Sequence, residues 1–345
     1  MVHKKLGLAL LILIVFLFTG CLHKQNSLYI YNWSYYTPEG LIEDFEKEFN
    51  CKVYIDYFSS NEEMYSKISA SKGGGYDIVF PSADFTQILM KQNLLAKINK
   101  DNIPNLEYLT PLVKEKATYD STFDYSVPYY MGATGIAVNK TKVSNYPHSW
   151  SVFSNTKYKN KMCMLDDMRE IMGAALTYLG YSVNSTNEDE LKQAYELIIN
   201  DWKPNLTKFD AEGFAKSFST GEYLIAHGYA ESFFEEIPEA RWGEIDFFIP
   251  EEGGPLYIDS MCILHNSKNK ELAEQFINYI LEPEHYAQFL DRFGFPSSTN
   301  TQADLYRTTE PHYTTQMLEN CELKDDIGED LTKYFALWED IRYED

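Results

Sequence analysis

Basic residues are scarce in this chain: 30 Lys and Arg stand against 52 Asp and Glu, for a formal net charge of −22. A nucleic-acid binder needs a basic face to replace phosphate counterions, so this balance excludes that class. The same acidity creates a field that draws in small cations, although it also serves plain solubility. Histidines number 7 and form no HExxH or other metal-ligand spacing. There is no nucleophile elbow, and Gly73-Gly74-Gly75 lacks the Lys-Ser/Thr that a phosphate loop needs. No catalysis, cofactor or metal is expected. Cys51, Cys163, Cys262 and Cys321 lie far apart and outside any CxxC pair, which argues against zinc. Cys163 and Cys262 sit in apolar, strand-like runs, where a small buried thiol is the expected role.

Long apolar runs are absent except at the N-terminus. Lys4 and Lys5 precede an apolar run over residues 6–18, and Phe18-Thr19-Gly20-Cys21 follows. A membrane-spanning helix needs about 20 apolar residues, so this layout is that of a secretory signal. A cysteine directly after small residues resembles the lipobox of bacterial lipoproteins. That resemblance implies a signal peptide over residues 1–20, lipid on Cys21, a short tether over residues 21–26, and an exported, periplasmic protein anchored to a membrane. An ordinary signal peptide followed by a chance cysteine fits the same residues.

The remainder has the apolar and charged fractions of a globular protein and the length of two domains. Residues 27–33, 51–58 and 76–80 read as strands, separated by helices that start at Thr37-Pro38, Asn61 and Ser82. Strands alternating with helices predict βαβ units and a mainly parallel sheet. Residues 120–139 are extended and broken by Pro128, Gly132 and Gly135, as in a chain crossing between lobes. A second αβ region spans residues 162–250. A strand at 258–264 follows, then helices at 270–281, 283–293 and 329–342. The expected architecture is α/β with two lobes, one of residues 27–130 plus 257–297 and the other of residues 131–256 plus 298–345. Ligands of open α/β sheets bind beyond the carboxyl ends of strands, which here are Trp33-Ser34, Ser82, Asp167 and Tyr229.

Around these ends, carboxylates and aromatics recur. Asp167 and Glu170 stand three apart at a helix start, where both can project from the first turn; the same Asp-x-x-Glu is also a capping box. Alternation along a strand puts Tyr257 and Asp259 on one face. A ligand with ammonium ends and a methylene chain asks for this mixture. Carboxylates answer the ammonium groups, and aromatic walls cover the methylenes and attract cations by roughly 0.5–2 kcal/mol each.

Six segments in order resemble the bacterial spermidine/putrescine-binding proteins of ABC importers. They are Tyr31-Asn32-Trp33-Ser34-Tyr35-Tyr36, Ser60-Asn61-Glu62 with Met64-Tyr65, Tyr76-Asp77-Ile78-Val79-Phe80-Pro81-Ser82, Tyr125-Ser126-Val127-Pro128-Tyr129 with Gly132-Ala133-Thr134, Asp166-Asp167-Met168-Arg169-Glu170, and Glu252-Gly253-Gly254 with Asp259-Ser260. The resemblance implies a two-lobed periplasmic binding fold with a crossover hinge, putrescine or spermidine as ligand, and a membrane permease as partner. It also implies cation-binding carboxylates at Asp167, Glu170 and Asp259, an aromatic box of Trp33, Tyr36, Tyr229, Tyr257 and Phe295, and amine-binding hydroxyls at Ser34 and Ser82. Two departures stand out. Tyr35 occupies the place of a family acid, and Asp84 that of an aromatic, so Asp84 is expected to supply the missing charge from across the cleft. Lys324 falls where the family carries a glutamine that reaches the amine end. It either points away or shortens the site toward putrescine. Other readings are the same fold with another small organic cation, or a surface lipoprotein binding a host macromolecule.

Overall fold

The computed structural model describes residues 26–34 and 36–343. The signal segment, Cys21 and Tyr35 lie outside them.

The first sheet begins with β1 (Asn26–Trp33), which pairs in parallel with β2 (Cys51–Phe58) and β3 (Ile78–Val79). Three helices connect or follow these strands: α1 (Glu39–Glu48), α2 (Asn61–Ala70) and α3 (Ala83–Lys91). Two of them start for a local reason. Pro38 fixes the entry to α1, and Ser60 caps α2 by accepting from Glu63 N. Leu41 and Phe45 of α1 are buried against the sheet, four residues apart as a helical face requires.

After α4 (Pro111–Lys116) the chain enters β4 (Val127–Ala133), turns at Thr134, and continues as β5 (Gly135–Asn139) in a second sheet. That sheet also holds β6 (Met162–Met164), β7 (Leu206–Phe209), β8 (Ile225–Gly228) and β9 (Ile245–Phe248), in the order β7-β6-β8-β5-β9. Its helices are α5 (Met168–Tyr178), α6 (Glu188–Leu197), α7 (Phe214–Thr220) and α8 (Ala230–Glu236). The chain then returns to the first sheet as β10 (Pro255–Ile263), antiparallel to both β3 and β4. Helices α9 (Lys270–Leu281) and α10 (Pro283–Phe293) cover this sheet, and β11 (Glu322–Leu323) adds to its edge beside β10. A final helix, α11 (Leu331–Tyr343), crosses back to the second lobe, where Tyr334, Trp338 and Ile341 enter the core beneath α5.

Both sheets are mixed rather than mainly parallel. Pairs formed by βαβ crossovers are parallel, as expected, but β5 and β10 enter their sheets from the other lobe: β5 runs antiparallel to β8 and β9, and β10 antiparallel to β3 and β4 though parallel to β11. Residues 298–323, expected with the second lobe, lie on the first. Ser298 Oγ donates to Met131 O at 2.6 Å, and Asn300 Nδ2 to Leu281 O at 2.8 Å. The chain therefore passes between lobes three times, at Thr134, over residues 249–254 and over residues 324–330. Among the described residues no helix is long and apolar enough to cross a membrane. Cys51, Cys163, Cys262 and Cys321 are all buried.

Candidate functional site

A cavity of about 630 Å³ opens between the lobes. Trp33, Tyr36, Ser82, Asp84, Tyr257 and Asp259 line it from the first lobe. Asp167, Tyr229 and Glu231 line it from the second, and Lys324 from the third crossing. Three of the four expected strand ends are thus at the cavity, and within the fourth pair Trp33 lines it while Ser34 is exposed to solvent outside the lining.

Asp259 forms the floor. The ladder between β10 and β4 shifts register between Asp259 and Ser260, and such a bulge re-aims a side chain. Ser82 Oγ donates to Asp259 Oδ1 at 2.6 Å and Tyr36 Oη to Oδ2 at 3.0 Å. Asn61 Nδ2 in turn donates to Ser82 Oγ at 3.1 Å and fixes the hydroxyl from behind. Asp259 is only 6% exposed and, among the described residues, has no ion pair. Burial lifts its carboxyl to about 6 against the pull of the Ser82 and Tyr36 hydrogen bonds.

Aromatic rings enclose this carboxylate. Trp33 is locked by its indole N–H, which donates to Phe80 O at 2.9 Å, and by contact with Phe58. Tyr257 and Tyr229 meet edge-on at 6.1 Å across the lobes. The Tyr257 ring fits because residue 132 is glycine: a Cβ there would lie 2.6 Å from Tyr257 Oη. Phe295, expected in this box, is buried behind it, stacked on Tyr130 at 3.9 Å, and does not line the cavity.

Glu231, in the first turn of α8, faces the cavity from the second lobe and was not singled out by the sequence. Burial raises its carboxyl to about 7, with the Asp259 charge adding to the effect. The only sequence signal for it was its place two residues beyond the strand-end Tyr229.

Asp167 and Glu170 part company. Asp167 caps α5, accepting from Glu170 N at 3.0 Å, and still lines the cavity. Glu170 is fully buried and does not line it. Its carboxylate instead accepts from Lys324 Nζ on one oxygen and from Thr134 Oγ1 on the other, at 2.7 Å. Thr134 Oγ1 lies 2.7 Å from His227 Nε2, so with Thr134 donating to Glu170 the imidazole is the donor at that contact. Burial drops His227 to about 3, which keeps it neutral. Lys324 is held charged, raised by Glu170 and Asp167 against its burial. Asp84, in the first turn of α3, is raised by burial and lowered by the charges of Lys324 and Arg169.

The geometry agrees with known proteins. Residues 40–315 match the family described as bacterial extracellular solute-binding protein. The spermidine/putrescine-binding periplasmic protein of Escherichia coli is 34% identical over 312 residues, covering 88% of each chain. The putrescine/cadaverine-binding protein of Pseudomonas aeruginosa is 32% identical and covers 78% of each. Among solved structures, the TpPotD lipoprotein of Treponema pallidum superposes with a TM-score of 0.89 at 48% identity, over 92% of this chain and 100% of that one. Two mixed-sheet lobes, a cleft lined from both, and relatives of this breadth place the chain in the bacterial extracellular solute-binding protein family, whose work is binding and not catalysis.

Proposed function

We propose that this protein captures a polyamine, putrescine or spermidine, between its lobes and delivers it to an ABC importer in the membrane to which it is lipid-anchored through Cys21. The observation that carries the reading is Asp259. It is a buried carboxylate without an ion pair among the described residues, oriented by two hydroxyl donors and walled by Trp33, Tyr36, Tyr229 and Tyr257. Burying an unpaired charge costs on the order of several kcal/mol, and an ammonium from outside is the group that removes that cost. Glu231 adds a second carboxylate from the opposite lobe, so a cation at Asp259 is favoured most when the lobes are together. The ligand thereby stabilises the closed state through its differential affinity. The relatives, a spermidine/putrescine-binding and a putrescine/cadaverine-binding protein, support the same ligand class.

Isothermal titration of the purified full chain with putrescine and spermidine tests this. Binding at micromolar affinity, about −8 kcal/mol, that Asp259→Asn weakens by about 2 kcal/mol or more is the expected result. Absence of heat with both amines on folded, ligand-stripped protein refutes it. For the anchor, Cys21→Ser is expected to move the protein from the detergent phase to the aqueous phase in a detergent-partition assay.

A further inference from the structure

Lys324 stands in the cleft as a tethered ammonium. Its Nζ pairs with Glu170, and the charges of Asp167 and Asp84 also act on it. It reaches this position from the third crossing between lobes, and the backbone on both sides of it is pinned. Lys324 N donates to Leu256 O at 3.0 Å. Asp325 N donates to Asn184 Oδ1 at 2.9 Å, and Asp325 O accepts from Arg169 Nη1 at 3.1 Å. Asn184 Nδ2 closes the frame on Leu323 O at 2.8 Å. Only rotation of its own side chain can take the ammonium away from Glu170. Such a movement would leave Glu170, which is fully buried, with Thr134 as its one side-chain partner among the described residues and no cation. The pair is therefore part of the resting structure rather than a latch waiting to be displaced.

We propose that Lys324 is a resident ammonium that permanently fills the amine position at Glu170, so that the cleft accepts a short diamine and turns away a triamine. The inference rests on the polyamine reading above. One end of the diamine belongs at Asp259 and Glu231, where, among the described residues, no protein cation competes within ion-pair distance. A longer polyamine would have to set a further ammonium beside Lys324, where like charges meet in a half-buried site. Its extra charge would find Glu170 already neutralised.

The test is competition titration of the full chain with putrescine and spermidine, on the unmodified protein and on Lys324→Gln. The unmodified protein is expected to bind putrescine at least about tenfold more tightly. Lys324→Gln, which removes the charge and keeps a polar end, is expected to shift the ratio toward spermidine by about tenfold or more. Lys324→Met, of similar length, should shift it the same way and serves if the glutamine variant is unstable. A lysine that merely supported the fold would lower both affinities together and leave their ratio unmoved, and that result overturns the proposal. So does an unmodified protein that binds spermidine as well as putrescine, a comparison that needs no variant. In either case the polyamine reading survives. Loss of binding to both amines by the unmodified, folded protein overturns both.

Discussion

Asp259 and Glu231 keep their protons at pH values where ordinary carboxyls have lost them, because burial strips water from both and the Asp259 charge adds to the effect on Glu231. A bound ammonium favours the ionised forms, so binding must expel protons wherever these groups are still protonated. The sign follows: affinity falls as pH drops through 7 and then 6, and is restored above. Between pH 8 and pH 5 the affinity for a diamine should fall by at least about tenfold, measured by titration calorimetry in buffers of different ionisation enthalpy. An affinity flat across that range would show that neither carboxylate receives the cation. Asp84 is the other residue with a separate test. Its charge is offset by Lys324 and Arg169, so Asp84→Ala should weaken diamine binding less than Asp259→Asn does. No change for either polyamine would remove Asp84 from the site. At this scale the sequence read well where local rules apply: strand alternation placed Tyr257 beside Asp259, and helix capping described Asp167. It read poorly where partners are remote. Glu170 is taken up by a lysine 154 positions away, and nothing in either local sequence announces the pair. Phe295 is displaced by its stacking on Tyr130, a contact between segments that no periodicity relates.

The elements that were legible are the long ones with a repeating apolar face, such as α1, α9 and α10. Short pieces escaped: α4, α7, α8 and β7 have 4–7 residues each, too few for a period to register. The direction of β10 was also hidden, because its neighbours β3 and β4 come from distant parts of the chain. The turn that feeds β10 makes the sharpest demand on a single residue. Gly253 has φ +84, and an added Cβ would lie 2.1 Å from Asn320 O, a backbone atom that cannot swing aside. Its own carbonyl meanwhile accepts from the Trp150 indole at 2.8 Å. Left-handed strain of roughly 1–2 kcal/mol and overpacking of roughly 1–3 kcal/mol should combine, so Gly253→Ala is expected to lose about 2–4 kcal/mol in urea unfolding. A loss below about 0.5 kcal/mol would mean that the segment around Asn320 yields freely.

For the whole molecule, three crossings constrain how the lobes move. A single linker would leave them free to swivel, whereas three strands of backbone side by side permit mainly a hinge rotation that opens and closes the cleft. Gln87 and Lys91 on α3 reach Asp325 and Asp326 at 3.0 and 2.7 Å, so the first lobe also grips the third crossing through side chains. Small-angle scattering should therefore record a smaller radius of gyration on adding putrescine. Asp259→Asn at the same amine concentration should stay at the ligand-free value. An unchanged radius in the unmodified protein would mean that the cleft is already closed without ligand.

The threading of β10 has a further consequence for how such a chain comes into being. The strand that holds the first sheet together lies between β3 and β4 in space but more than 120 residues after either begins to emerge. The second lobe likewise waits for α11, the last helix of the chain, to cover α5. Neither lobe can finish its core from a nascent N-terminal portion, so the polypeptide stays loose until synthesis is nearly complete. For a protein made on one side of a membrane and used on the other, that delay keeps it threadable: it can cross as a flexible strand and lock into shape only after arrival.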